Sequence, residues 1–266
     1  MKSVIFLGSS NTFGVGLHTF RENYLTENGI KEIKWPYNQI GEDNEFIYSV
    51  RWTRFVAEYL DRKEINISAV AGSPAATLYT LNNTDLSEVD YVFFEFSGIY
   101  IYFDRYFHYD DYPKTPHEIE AFLTNGKNDK SELREKILKW LDEYNPTEFI
   151  DEILVLLKEK IEKLNTKKFI ILFWHDAIHG VDSKIDFNSE KFRWLKKYMV
   201  KFPTESDSDN YIVHNFIKEK KLTVSDEHPL AHLIHEDIHA GIQGNKSVAD
   251  IVINYINEKE TTNSWR

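Results

Sequence analysis

Cysteine is missing from this chain of 266 residues. Its absence excludes thiol catalysis, cysteine-ligated zinc and disulfide bonds. Long hydrophobic runs are missing too, because the first apolar stretch, Val4–Leu7, covers only a few residues. Such a run is too short for the core of a signal peptide and for a membrane span. We therefore expect a cytoplasmic protein, or a mature form from which a leader has been removed.

An excess of positive charge is also lacking. The chain has 32 Lys and Arg residues against 43 Asp and Glu residues, a formal net charge of −11. Such a balance disfavours an extended phosphate-binding surface, so we expect neither nucleic acid nor a membrane as a partner. The glycine-containing stretch at 8–14 does not end in the Gly-Lys-Ser/Thr of a phosphate loop, which disfavours nucleotide binding.

What is present is enough apolar material for one large core, since 42% of the residues are hydrophobic. We expect a single domain, 1–266, with an aromatic-rich insertion at about 98–130. Five apolar runs predict strands: Val4–Leu7, Ile65–Val70, Asp90–Phe96, Phe169–Trp174 and a short one at Leu222–Val224. Helical spacing or cap residues predict helices at Val50–Leu60, from Asn145-Pro146 onward, at Lys191–Val200, at Tyr211–Lys218 and at about Asn245–Asn257.

Predicted strands that alternate with helices over long connections favour an α/β fold with a parallel sheet. We expect a three-layer α/β/α sandwich whose parallel, flavodoxin-like sheet has about five strands. In such sheets, ligands bind at the carboxyl ends of the strands.

One small, polar stretch follows the first predicted strand directly: Gly8-Ser9-Ser10-Asn11-Thr12-Phe13-Gly14. There, Ser10 can act as a nucleophile if the chain supplies a base and an oxyanion hole. The alternative is that Ser10 only caps a helix, because serine is a preferred cap residue.

Near the other end of the chain, Glu236-Asp237-Ile238-His239-Ala240-Gly241 precedes the last predicted helix. Together the two segments resemble the SGNH (GDSL-type) hydrolase family. The family's first block, Gly-Asp-Ser-x-Thr-x-Gly, matches residues 8–14, and its second-block glycine matches Gly72. Its last block places an acid and a histidine just before the final helix, as here.

The resemblance implies the SGNH hydrolase fold, with Ser10 as the nucleophile and His239 as the base. The N–H groups of Ser10 and Gly72 are the implied oxyanion donors. The acid stays open, because a spacing of two selects Asp237 and a spacing of three selects Glu236. Asp237 is preferred, since Asp is the family's usual residue type.

Two positions depart from the family's pattern. Ser9 stands where the first block has Asp, and Ile99-Tyr100 stands where the third block has an Asn that completes the oxyanion hole. Losing one oxyanion donor costs about 100- to 1000-fold in turnover. The candidate substitutes and substrate contacts are the Tyr100 hydroxyl, Asn11, Ser97 and Arg105, and Trp174 is expected to rim the site.

The resemblance implies an esterase that removes a small, acetyl-like group from a carbohydrate or related small molecule through an acyl-enzyme. No metal or organic cofactor is expected. Two alternatives remain: an O-acyltransferase that uses the same residues, and a weak or inactive SGNH-fold binding protein, which the missing Asn favours.

A competing motif overlaps the last block. His235-Glu236-Asp237-Ile238-His239 spells H-E-x-x-H, the zinc-binding pattern of many metalloproteases. That chemistry requires both histidines on one continuous helix. Gly241 and Gly244 argue against such a helix, and the charge of Asp237 inside the motif is atypical of those enzymes.

Overall fold

A computed structural model describes residues 2–14, 17–20, 44–68, 74–96, 99–100, 146–175, 177–179, 183–184, 189–229 and 237–265. Its strands are β1 (Ser3–Gly8), β2 (Lys63–Ser68), β3 (Val89–Phe96), β4 (Ile99–Tyr100), β5 (Lys168–Phe173), β6 (Ala177–His179) and β7 (Ser183–Lys184). Its α-helices are α1 (Ser10–Phe13), α2 (Asn44–Val50), α3 (Trp52–Tyr59), α4 (Pro74–Asn83), α5 (Pro146–Lys163), α6 (Val213–Glu219), α7 (Val224–Glu227) and α8 (Ile242–Thr262).

The central sheet is all parallel, and its described strands run in the order β2-β1-β3-β5. β1, β3 and β5 are almost entirely buried because both faces of the sheet are covered, whereas β2, the last strand in this order, is only partly buried. A second, small sheet of β4, β6 and β7 pairs β4 with β6 in parallel and β6 with β7 antiparallel. The predicted α/β class with a parallel sheet is therefore confirmed.

Alternation along the strands divides the core into two layers. Ile5 and Leu7 face one layer, which contains Leu78 of α4 and Leu157 of α5. Val4 and Phe6 face the other layer, which contains apolar side chains of three helices (α3, α6 and α8). Helices thus cover both faces of the sheet, an arrangement compatible with a three-layer α/β/α fold.

The fifth strand is the main correction to the predicted sheet. Thr223 forms only an isolated antiparallel bridge with Ala240, and α7 begins at Val224, so Leu222–Val224 is not a strand of the sheet. Beside β5, two parallel bridges instead join Met199 to Ile171 and Ile212 to Phe173. Short extended segments therefore lie along this edge of the sheet in the described part of the chain.

Two predicted helices are also corrected. Residues 191–200 contain only the short 3-10 helices Glu190–Phe192 and Lys196–Tyr198, because Met199 turns extended to bridge the sheet. The helix predicted over Val50–Leu60 is divided into α2 and α3 at Arg51, whose backbone is extended (φ −79°, ψ 151°).

The start of α5 at Pro146 is as predicted, whereas Asn145 lies outside the described residues. Apart from β4, the aromatic-rich insertion also lies outside them. Among the described helices, none is both long enough and apolar enough to cross a membrane.

Candidate active site

The turn that carries Ser10 follows β1 without an intervening loop. β1 ends at Gly8, and α1 begins at Ser10, so Ser10 lies at the carboxyl edge of the parallel sheet. This is the edge at which open α/β sheets bind ligands. The side chain of Ser10 lies outside the described part of the structure.

A buried carboxylate from the adjacent strand contacts this turn. Glu95, near the end of β3, is only 2% exposed. Its carboxylate accepts hydrogen bonds from the backbone N–H of Ser9 (3.2 Å) and of Thr12 (3.0 Å). It also accepts from the hydroxyls of both residues and from the side-chain amide of Asn11 (3.4 Å). Glu95 thus contacts the residues on both sides of Ser10.

The turn is also held from the opposite side by β2. The side-chain amide of Asn66 donates to the backbone carbonyl of Thr12 (3.0 Å) and to the hydroxyl of Thr53 (3.2 Å). The Thr53 hydroxyl donates in turn to Glu64 (2.6 Å). The two strands that flank β1 therefore both supply polar contacts to the segment that carries Ser10.

His239 and Asp237 form a close pair before α8. Nδ1 of His239 lies 2.8 Å from Oδ1 of Asp237, and the backbone N–H of His239 donates to the same oxygen (2.9 Å). Both side chains are largely buried, with 14% of His239 and 7% of Asp237 exposed. Ile238 between them is turned outward and 42% exposed. A carboxylate at Nδ1 selects the tautomer that leaves Nε2 as the acceptor.

Hydrogen bonds with the first residues of α7 fix the position of this pair. The N–H of Val224 donates to the carbonyl of His239 (2.8 Å). The N–H of Asp237 donates to the hydroxyl of Ser225 (2.6 Å), and the N–H of Ser225 donates back to the carbonyl of Asp237 (3.3 Å). Asp237 and His239 are therefore attached to a short antiparallel pairing, which includes the bridge between Thr223 and Ala240.

The start of α8 is capped from α7. The carboxylate of Glu227 accepts from the backbone N–H groups of Gln243 (2.8 Å) and Gly244 (2.7 Å), which belong to the first turn of α8. Burial raises the pKa of the Glu227 carboxyl, while these N–H groups act in the opposite direction. This cap secures the helix that immediately follows His239.

Contacts join the N-terminal part of the chain to residues that precede and follow the Asp237–His239 segment. His228, just after α7, has its Nε2 2.9 Å from the carbonyl of Thr19 and its ring 4.9 Å from that of Phe20. The side chain of Asn245, in the first turn of α8, accepts from the N–H of Trp52 (3.0 Å). The segment that carries His239 therefore packs beside elements that follow the Ser10 turn.

Two of the predicted substrate contacts, Trp174 and Asn11, have buried side chains. Trp174 is 1% exposed, because its N–H extends the sheet by donating to Phe96 (2.7 Å) and alternation sends its ring into the core layer of Ile170 and Leu172. Asn11 is 7% exposed, and its amide faces Glu95 and Ser9. The expectation that they contact substrate stays a prediction.

The remaining predicted residues are not tested by the geometry. Gly72, Ser97, Arg105 and Glu236 lie outside the described residues, and Ile99 and Tyr100 are described only as backbone in β4. Glu236 therefore has no described contact to compare with that of Asp237.

The zinc-protease interpretation conflicts with the backbone. Residues 237–241 are not helical, and α8 begins only at Ile242, so His239 is not part of a continuous zinc-binding helix. In the described portion of the chain, no group of three or more His, Asp or Glu side chains is placed to hold a metal ion.

Sequence reasoning missed Glu95, Ser225 and Glu227. For Glu95 a signal was present, because it is the single charge in the otherwise apolar interior of a predicted strand, and charged residues are rarely buried without hydrogen-bond partners. Ser225 and Glu227 are polar residues in a polar segment, so no comparable signal marked them.

Comparisons with known proteins found no matching family model, no matching curated protein and no matching solved structure. The described residues define the class of the protein, which is an α/β protein with a parallel sheet.

Proposed function

We propose that the protein is a serine ester hydrolase with an SGNH-type fold. The observation that carries this proposal is the pairing of His239 Nδ1 with Asp237 at 2.8 Å, in a segment that packs beside elements following the Ser10 turn. The first-block match supports Ser10 as the third member of the set. A serine, a histidine and a carboxylate in these roles form the relay of acyl-transfer enzymes.

In the proposed reaction, the Ser10 hydroxyl oxygen attacks the ester carbonyl carbon while His239 Nε2 accepts the hydroxyl proton. The tetrahedral intermediate collapses, and His239 returns the proton to the departing alcohol oxygen. Water then attacks the acyl-Ser10 carbonyl, gives its proton to His239 and releases the carboxylic acid as Ser10 recovers its hydrogen. Asp237 holds the imidazole in position and stabilises its charged form.

The Ser10 N–H is the proposed oxyanion donor, with the Gly72 N–H as its partner by resemblance. The Ser9 and Thr12 N–H groups are engaged by Glu95 and do not serve this purpose. The proposed substrate is a small acyl ester, such as an acetyl group on a carbohydrate or related molecule, which follows from the resemblance alone.

A generic ester assay tests the proposal. We expect the wild-type protein to hydrolyse short-chain nitrophenyl esters and to be labelled on Ser10 by a fluorophosphonate, as an activated serine requires. Ser10→Ala should abolish both. Ser49→Ala, which removes an exposed serine hydroxyl from α2, should change neither.

Failure of the wild-type protein to hydrolyse any ester of a broad panel, together with no labelling of Ser10, would contradict the proposal and favour a binding protein on the same scaffold. If labelling occurs but added alcohol acceptors take the acyl group in preference to water, the protein is an acyltransferase.

A further inference from the structure

We infer that Glu95 is the positioning residue of the nucleophile turn: its carboxylate, delivered from β3, holds Ser9 and Thr12 so that Ser10 between them is set for attack. This inference rests on the proposed function and assigns to Glu95 a role that the resemblance does not supply. Glu95 contacts no reacting atom in this role and acts only through the turn.

The burial of Glu95 makes its hydrogen bonds energetically necessary. An ionisable group that is 2% exposed loses its hydration, and this loss is costly unless hydrogen bonds replace it. In the described part of the chain, all of its hydrogen-bond donors come from Ser9, Asn11 and Thr12. A single segment of four residues, 9–12, thus supplies the whole set of contacts that makes this burial tolerable.

The division of the contacts between the two carboxylate oxygens fixes the shape of the turn. Oε1 accepts from the side chains of Ser9 and Asn11, whereas Oε2 accepts from the backbone N–H groups of Ser9 and Thr12 and from the Thr12 hydroxyl. N–H groups at the start of a helix have no acceptor within the helix. Glu95 supplies that acceptor on both sides of Ser10, so the backbone of Ser10 cannot rotate without breaking one of these bonds.

Gly8 makes room for this arrangement. A Cβ atom at Gly8 would lie 2.8 Å from Cβ of Glu95, closer than real Cβ contacts allow. The glycine that opens the first block is therefore required by the close approach of Glu95. The chain has Ser9 where the resembled family has Asp, and the carboxylate at this turn comes instead from the neighbouring strand.

The decisive variants change Glu95 without emptying its site. Glu95→Gln keeps the shape, but its NH₂ group cannot accept a hydrogen bond, so at least two donors of the turn lose their acceptor. Thr12→Val keeps Glu95 and removes one hydroxyl donor. We expect both variants to lower kcat and the rate of fluorophosphonate labelling with little change in KM, by about 100-fold for Glu95→Gln, the loss typical of a nucleophile displaced by about 1 Å.

Val92→Ala is the matched control. Val92 lies on the same strand and is fully buried, but it faces the opposite core layer. This control should lower the unfolding temperature and leave the labelling rate of the folded protein unchanged. Amide hydrogen exchange over residues 8–14 should accelerate in Glu95→Gln and stay slow in Val92→Ala.

The outcomes separate the inference from the proposed function. If the wild-type protein is labelled and both turn variants react at the wild-type rate while folded, the inference is overturned and the proposed function stands. If the wild-type protein itself is not labelled, the proposed function fails, and the inference fails with it. A loss of labelling confined to the turn variants supports both.

Discussion

At the scale of single residues, two buried carboxylates of this protein have opposite surroundings. Asp237 contacts an imidazole, whose charge it can stabilise, whereas Glu95 contacts neutral N–H and O–H donors. The first arrangement suits an acid that assists a base, and the second suits a carboxylate that fixes backbone geometry. The hydrogen-bond partners of the two carboxylates, and not their residue type, therefore distinguish the roles that we propose for Asp237 and Glu95.

Asp237→Asn tests the first of these roles. An amide NH₂ facing Nδ1 would favour the wrong imidazole tautomer, so we expect kcat for a nitrophenyl ester to fall by about 10⁴-fold with the fold preserved. The matched control is Asp250→Asn, which removes an exposed carboxylate from α8 and should retain full activity.

Equal activity of Asp237→Asn and the wild-type protein would exclude Asp237 as the acid and return attention to Glu236. Circular dichroism and the unfolding midpoint of each variant would establish that any loss comes from the site and not from unfolding.

The contact between Asp237 and His239 was predictable from the sequence, whereas the contacts of Glu95 were not. Asp237 and His239 are two positions apart, so their contact is nearly local, and the first block marks Ser10 directly. Glu95 meets Ser9 across 86 positions of the chain, and no local pattern encodes such a contact. The burial of Trp174 was not predicted, because strand alternation continues for one residue beyond β5.

At the scale of elements, the start of α8 depends on a close approach of two backbones. Gly241 is the N-cap, and its N–H donates to the carbonyl of Leu222 (2.9 Å). Gly244 lies in the first turn of α8, where a Cβ atom would collide with that same carbonyl oxygen. Gly244 therefore allows α8 to pack closely against Leu222. The helix begins at Ile242, three residues before the predicted start at Asn245.

Gly244→Ala should consequently destabilise the protein, although alanine has the higher helix propensity. We expect a loss of about 1–3 kcal/mol, the typical cost of overpacking, measured by urea unfolding. Gln243→Ala, at an exposed position of the same turn, is the control and should change the free energy of unfolding by about 0.5 kcal/mol or less. A stabilised Gly244→Ala variant would contradict the close approach.

Element type was predictable where periodicity and burial agree, as in β1, β3 and β5. It was not predictable for residues 191–200, where the apolar spacing suits a helix but Met199 joins the edge of the sheet. Leu222–Val224 was misread for the converse reason, because a short apolar run does not distinguish a strand from a bridge followed by a helical turn.

At the scale of the whole molecule, a buried ion pair connects the α2–α3 junction to the sheet. Nη2 of Arg51 lies 2.9 Å from Oε1 of Glu64, and only 7% of the Arg51 side chain and 8% of the Glu64 side chain are exposed. Burial lowers the pKa of Arg51, while the adjacent Glu64 opposes this change. Through Thr53 and Asn66, hydrogen bonds continue from this pair to the Ser10 turn.

Breaking this pair should destabilise the entire fold. Arg51→Met leaves the Glu64 carboxylate buried without its cation, and we expect a loss of about 3–5 kcal/mol in the free energy of unfolding. The double variant Arg51→Met/Glu64→Leu should lose less than Arg51→Met alone, because no unpaired charge stays buried.

The control is the exposed ion pair of Arg54 and Glu58 on α3, in which Nε of Arg54 lies 2.8 Å from Oε1 of Glu58. Arg54→Met should cost no more than about 1 kcal/mol. Additive losses in the double variant of the buried pair would show that the two charges are not coupled.

The outward position of Ile238 has a practical consequence. Its side chain is exposed between two largely buried neighbours that belong to the proposed relay. Because the chain has no cysteine, Ile238→Cys would introduce a unique thiol there, available to a fluorophore without further mutagenesis. The protein thus offers a single attachment point for an optical reporter of ligand arrival beside the acid–base pair.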